Sequence, residues 1–252
     1  MSENKITFSV IIASFNENKN IQFCIDSFEN QTYQRKELIV IDGGSTDGTA
    51  DIIRLNSNKI SYWESEPDKG VYHAWNKAID QVKGNWVYFL GSDDYFKTPF
   101  VLDRVASEIK NKHLYDCDLI CGSVEMVGDE KNQIIVPDIK KFPNKMLPHQ
   151  GIFHSSRMFE QGYRFSDEFS IRGDYEFLVR IFSQRQLKMH QLDEIIAVCK
   201  TGGLSSAANV RMKIFHETFT VRKLYSLKPY SKEMILFWLK SVIKQSGYKL
   251  GW

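Results

Sequence analysis

The 252-residue sequence predicts an α/β fold built on a parallel, doubly wound sheet flanked by helices. Three observations predict it. Four short apolar runs alternate with three segments of helical period in the first hundred residues. The connections are short and rich in Gly, Asn and Asp. Three of the runs end in polar groups, as strands do where a ligand binds at the carboxyl edge of such a sheet.

Taken in order, residues 8–14 (Phe-Ser-Val-Ile-Ile-Ala-Ser) suit a strand buried on both faces. Residues 17–30 then place Ile21, Cys24, Ile25 and Phe28 on one helical face. Residues 37–42 read as a second strand, 43–49 as a turn, 49–55 as a helix and 60–64 as a short third strand. Glu66-Pro67-Asp68-Lys69-Gly70 turns into a helix with Val71, Trp75, Ala78, Ile79 and Val82 on one face, ending near Gly84. Residues 86–90 form a fourth strand that runs into Gly91-Ser92-Asp93-Asp94. Beyond residue 100 the pattern loosens into a mixed region. It offers a helix over 100–112, strands over 119–127, 133–136 and 194–199, and a loop over 137–150 with three prolines. Residues 174–186 read as a helix, and the tail is helical from about 207, with a break at Lys228-Pro229.

Composition excludes several classes. With 42% hydrophobic and 25% charged residues the chain is neither fibrous nor disordered, and it is long enough to bury a core without disulfides. Its net charge of +2 is too balanced for a nucleic-acid binder, so no nucleic-acid partner is expected. The balance hides a basic tail: residues 208–252 hold nine Lys and Arg against two Glu. Cys24, Cys117, Cys121 and Cys199 lack zinc-site spacing and read as free thiols in a reducing cytoplasm. The apolar stretch 8–15 is too short and interrupted for a signal peptide, and the longest apolar run of the tail, 234–239, falls far short of the ~20 residues that span a bilayer. A cytoplasmic protein is expected.

The polar strand ends carry the chemistry. The sheet would gather Ser14-Phe15-Asn16-Glu17, Asp42 and Ser92-Asp93-Asp94 at one edge, although Asp at these places also suits turns and caps. Adjacent carboxylates such as Asp93 and Asp94 need a cation or strong donors nearby. Mg²⁺ or Mn²⁺ takes one or two carboxylates together with phosphate oxygens, the arrangement that holds a nucleoside diphosphate.

Residues 9–16, 38–49, 65–72 and 90–94, extended by His149-Gln150-Gly151-Ile152-Phe153, Gly173-Asp174-Tyr175-Glu176-Phe177 and Gly202-Gly203-Leu204-Ser205, resemble family 2 glycosyltransferases. Within the family the similarity is greatest to bacterial enzymes of O-antigen, capsule and colanic-acid synthesis. The resemblance implies a GT-A domain over 1–206, with a nucleotide-sugar-binding half to about 98, an acceptor-side half from about 99, and a basic extension over 207–252. It implies an inverting, metal-dependent enzyme of the hexosyltransferase type, with a UDP-sugar donor, Mn²⁺ or Mg²⁺, and a saccharide acceptor on a polyprenyl diphosphate. By the same resemblance Asp42 meets the nucleotide base, flanked by Ala13 and Phe15 with Glu17 close by. Asp93 holds the ribose or sugar, Asp94 binds the metal, and Asp174 is the catalytic base. Asp68 belongs to the donor site, and Lys69 is a candidate phosphate contact there. His149, Gln150 and Arg172 are candidates for acceptor or diphosphate binding. Ser92 stands where the family's motif has its leading Asp, so two carboxylates remain; Lys200-Thr201-Gly202-Gly203 lacks the metal-binding His of some relatives, so water or diphosphate oxygen is expected as any third ligand.

Bland readings stand beside these. Asp174 at a helix start suits capping; Trp63, Trp75 and Trp86 suit the core; and His154 suits a strand-end contact. The tail is read as solvated charge, as an interfacial helix on anionic membrane (Met234, Ile235, Phe237, Trp238, Val242 and Ile243 beside Lys240 and Lys244), or as a dimer surface. Two rival functions remain. A sugar-nucleotide nucleotidyltransferase would want a Gly-rich basic loop after the first strand, where Ser14-Phe15-Asn16-Glu17-Asn18 stands. A non-catalytic binder would have no need of Asp174.

Overall fold

In the computed structural model, which describes residues 5–128, 132–200, 208–228 and 230, the first half alternates as the pattern requires. β1 (Phe8–Ser14), β2 (Lys36–Asp42), β3 (Tyr62–Ser65) and β4 (Trp86–Gly91) are separated by α1 (Ile21–Glu29), α2 (Thr49–Leu55) and α3 (Val71–Ile79). β1 lies between β2 and β4 and is parallel to both; β3 extends the sheet beyond β2. The chain winds outward through β1, β2 and β3, then returns to set β4 on the other side of β1. Strand order therefore reverses between β1 and β4, and a crevice opens at their carboxyl ends.

The second half comprises β5 (Tyr95–Phe96), α4 (Val101–Asn111), β6 (Leu119–Val127), β7 (Gln133–Ile135), β8 (Ile152–Ser155), α5 (Ser156–Glu160), α6 (Gly173–Gln184), β9 (Met189–Lys200) and α7 (Ala208–Leu224). β8 joins β4 to β6 and is antiparallel to both; β6 pairs parallel with β9, which carries β5 at the far edge. The sheet is thus parallel in its first half and mixed in its second.

Alternation along β1 divides the core. Phe8, Val10 and Ile12 face α1, α2 and α4, whereas Ile11 faces α3 and α6 on the opposite side. All four side chains are fully buried. Each contributes about 1.5–3 kcal/mol by leaving water, which holds the strand and its carboxyl end in place.

Some expected elements differ. The third strand begins at Tyr62, because Ser57–Lys59 form a 3₁₀ turn ahead of it. The third helix stops at Ile79, and the amide of Gly84 donates to Ser9 Oγ instead. The last strand starts at Met189, five residues earlier than its apolar core, because β6 pairs along its whole length. β5, β8 and α5 are too short to carry a readable period. α7 ends at Leu224, ahead of Lys228-Pro229. His154 is not a strand-end contact: it lies inside β8, fully buried, its ring 5.4 Å from that of Phe89. Trp75 and Trp86 are buried, and Trp63 packs partly buried against the core. All four cysteines are free and buried.

Candidate active site

At one side of the crevice, the loops that follow β1 and β2 are laced together. The Asn16 amide donates to Ser45 Oγ (2.8 Å), and the Thr46 amide returns a bond to Asn16 Oδ1 (3.0 Å). The Glu17 amide donates to Thr49 Oγ1 (2.8 Å). Asn16 takes a left-handed φ of 54°, a conformation Asn tolerates. Asp42 is fully buried at the root of this lacing. Its carboxylate accepts the Ser45 amide at 2.9 Å, the Ser65 hydroxyl at 2.6 Å and the Ser45 hydroxyl. It fastens β2, β3 and the intervening turn. Phe15 stands 62% exposed at the lip, beside a half-buried Ala13. Asp68 accepts the Gly70 amide at 2.7 Å and lies against Gly43, where a Cβ would come within 3.0 Å of it. Lys69 beside it is exposed.

The end of β4 supplies the paired carboxylates. The Asp94 amide donates to the Gly91 carbonyl (3.0 Å), folding the carboxylate back over the glycine. A Cβ on Gly91 would lie 2.5 Å from Asp94 Oδ2, so a side chain there would push the Asp94 carboxylate aside. Burial pushes the Asp94 carboxyl up to about 7, and the charge of Asp93 adds to this; the Cys199 thiol and the Lys200 amide, at the end of β9, partly offset it. Asp93 is more open. Beneath them the Cys24 thiol is raised by burial and by the charges of Asp94, Asp93 and Glu17, which places all three carboxylates around it. Among the described residues no group of three or more His, Cys, Asp or Glu could hold a metal ion. Two adjacent carboxylates, one of them able to release its proton to water as a cation binds, do fit a hard divalent ion completed by phosphate oxygens.

Asp174 lies in the first turn of α6. A Cβ on the preceding Gly173 would come 2.7 Å from the Tyr72 ring, so only glycine lets α3 approach this closely. Tyr72 then donates its hydroxyl to Asp174 Oδ1 at 3.3 Å. Asp174 is 8% exposed, in a small cleft with Phe142, Leu147, His149 and Ile152. Burial raises its carboxyl above the usual range; the Arg172 charge, the Tyr175 amide and the Tyr72 hydroxyl oppose this. His149 stacks on Trp75 with centroids 4.7 Å apart. Neither of its ring nitrogens has a partner, and burial lowers it to about 3, so it is neutral near pH 7 and offers an anion no charge. The Gln150 carbonyl accepts the Tyr88 hydroxyl.

Asp174 is not the cap of its helix. Arg172 stands at the cap position, and the amides ahead of the helix go to α7. Glu217 accepts the amides of Ser170 (3.2 Å), Ile171 (2.9 Å) and Arg172 (2.9 Å), together with the Ser170 hydroxyl (2.9 Å). Burial alone would raise the Glu217 carboxyl, but these donors hold it below its ordinary value. Glu217→Ala is expected to cost about 1–3 kcal/mol, because it strands several donors at once. It should also slow transfer by loosening the turn that carries Asp174. Urea unfolding and kcat, measured on one preparation, check this; unchanged values in both would refute the role.

Sequence reading missed Tyr72, Cys199 and Glu217. Only Glu217 left a signal: it is one of two acids in a tail of nine cations. Tyr72 reads as an ordinary helix residue, and Cys199 reads as core.

A sheet parallel in its first half and mixed in its second, with an acidic pair at its switch point and a buried carboxylate at the start of α6, has the architecture of glycosyltransferases with the GT-A fold. The description "Glycosyl transferase family 2" matches residues 9–173, and the chain belongs to that family. A PGL/p-HBAD biosynthesis glycosyltransferase of Mycobacterium bovis is 31% identical over 204 residues, 79% of each chain. Staphylococcus aureus TarS 1-349 in complex with UDP-GlcNAc superposes with a TM-score of 0.68 at 18% identity, over 97% of this chain and 74% of its own. The mannosyltransferase PcManGT from Pyrobaculum calidifontis, in complex with GDP-Man and Mn²⁺, gives 0.67 at 14% identity, over 99% and 77%. At such identities these two structures bear on the fold alone.

Proposed function

We propose that this chain is an inverting, metal-dependent hexosyltransferase. It moves a sugar from a UDP-linked donor to a saccharide hydroxyl on a lipid diphosphate, in the assembly of a surface polysaccharide. The observation that carries the reading is the division of the carboxylates. Asp93 and Asp94 gather with Glu17 at the switch point, while Asp174 stands apart in an apolar cleft where burial raises its basicity.

The nucleoside lies along the carboxyl ends of β1 and β2, against Ala13 and the exposed ring of Phe15, with Glu17 and Asp68 at its edges. Asp42 acts at this site by fixing the loop whose turn meets the base. Asp93 orients the ribose or sugar, and Asp94 holds Mn²⁺ or Mg²⁺. When bound, that ion neutralises charge on the departing diphosphate. Lys69 supplies further positive charge there, and Arg172 stands on the acceptor side. Asp174 accepts the proton of the acceptor hydroxyl as its oxygen bonds to the anomeric carbon, on the face opposite the diphosphate. The C–O bond to the diphosphate breaks, and a donor with an α-linked nucleotide yields a β-glycoside. His149 and Gln150 line the acceptor approach. No helix of the described residues is long and apolar enough to cross a membrane. The proposed membrane or dimer contact of residues 230–252 falls, apart from Tyr230, outside the described residues, as does the Gly202-Gly203-Leu204-Ser205 segment of the sequence resemblance.

A panel of UDP-, GDP- and dTDP-sugars, each with Mn²⁺ or Mg²⁺, tests the reading by release of the nucleoside diphosphate. UDP release, with a β-linked product where an acceptor is supplied, is expected. Failure of every donor, or retention of configuration, defeats the proposal.

A further inference from the structure

Beside Asp174, on the side facing α7, lies a second and larger concavity of about 800 Å³. Lys140, Lys141, Lys145, Arg172, Arg222 and Lys228 line it, and its described lining holds no Asp or Glu. Asp174, two residues from Arg172, feels the Arg172 charge, and the other neighbouring acids are engaged elsewhere. Glu217 is held by backbone amides, Glu176 by Arg180 and Tyr225, and Asp138 pairs with the exposed Lys141 at the rim.

Two of the cations are fixed. Arg222 is only 3% exposed, yet its hydrogen-bond partners among the described residues are neutral: the carbonyls of Lys228 (2.6 Å) and Asn144 (3.0 Å), the Tyr175 hydroxyl (3.4 Å) and Asn144 Oδ1 (3.4 Å). Arg172 sends Nη1 to the thioether of Met146 (2.8 Å), a weak acceptor, and its buried Nε has no partner. Buried guanidinium groups are normally matched by carboxylate or phosphate, because desolvating the charge is otherwise costly. Here two converge on one cavity: Arg222 is buried among neutral partners, and the half-buried Arg172 is met, among the described residues, only by the nearby Asp174 carboxylate.

Resting on the glycosyltransferase reading, we infer that this cavity is the subsite for a diphosphate ester carried by the acceptor, gripped by Arg172 and Arg222 and screened at the rim by the lysines. Charge selects a polyanion, and planar guanidinium groups match phosphate oxygens in pairs. The volume suits a headgroup, not a polymer. Ile214 and Phe215 add an apolar wall on which the first carbons of a lipid can lie. The donor's diphosphate is a different ligand, since none of the residues 14–18, 43–48 or 91–94 lines the cavity. Position fits the acceptor: Arg172 and Tyr175 flank Asp174 in the chain, so an anion held there presents its attached sugar to the base.

The test measures binding of farnesyl diphosphate, inorganic pyrophosphate and farnesol to the full chain with Mg²⁺ and saturating UDP, which fills the donor site. Both diphosphates should bind, and farnesol should not. Lys140→Ala/Lys145→Ala alters exposed side chains only; it should weaken both diphosphates about tenfold while UDP affinity stays unchanged. Tighter binding of the farnesyl ester than of pyrophosphate would assign the apolar wall to the lipid, and equal binding would rest the site on the diphosphate alone; either supports the subsite. Diphosphate binding abolished by UDP, binding unchanged in the double variant, or farnesol bound as tightly as its diphosphate would overturn it. The glycosyltransferase reading fails separately, on absent nucleotide-sugar turnover.

Discussion

Asp174→Asn is expected to lower kcat by about 10²–10⁴-fold, the usual scale of general-base catalysis, while UDP affinity remains near that of the wild type. Asparagine keeps the shape and can still accept from the Tyr72 hydroxyl, but it cannot take the acceptor's proton. The fold should tolerate it, since Arg172, not Asp174, occupies the cap position and Glu217 collects the amides ahead of the helix. The pH profile adds an independent check. Burial raises the Asp174 carboxyl, so the acid limb of kcat/KM should lie above that of an ordinary aspartate, activity rising as pH rises through it. Tyr72→Phe removes a donor that favours the carboxylate, so it should move the limb to higher pH. Activity of Asp174→Asn within a few-fold of wild type would remove the residue from the base role. A limb unmoved in Tyr72→Phe would uncouple the two side chains.

Asp94→Asn should abolish the metal-dependent part of nucleotide binding, and the wild type should show why through pH. The Asp94 carboxyl lies near 7 against an ordinary value of 3.8, so between those values the metal-free folded chain holds a proton that the unfolded chain has lost. The contribution of this group to stability therefore falls as pH rises through that window and levels off above it. Cation binding runs the opposite way. The ion needs the carboxylate, so affinity for Mn²⁺ should drop by about tenfold per pH unit below 7 and flatten above it. Thermal melts with and without Mn²⁺ at pH 5.5 and pH 8 read both effects. Equal Mn²⁺ stabilisation at the two pH values, or stabilisation preserved in Asp94→Asn, would exclude Asp94 as the ligand.

By itself the sequence determined the wound half of the fold and which polar residues stand at its strand ends. β1 and α2 lie where their apolar spacing puts them, because period and turn residues are local properties of the chain. Asp42, Asp93 and Asp94 follow from the same logic, since a residue at the end of a buried strand has its address fixed by the strand. The second half was less legible. β8 is four residues long and lies between two strands remote from it in sequence, so nothing local marks it. Only the tertiary structure decided what each acid does there. Asp42 is consumed by Ser45 and Ser65, Asp94 is half-neutralised by burial, and His149 is stripped of charge by Trp75 and its apolar neighbours. Glu217 and Arg222 reach the site from a helix that the sequence presents as a basic appendage. Their roles depend on desolvation and on partners some 45 and 78 residues away, which no local pattern encodes.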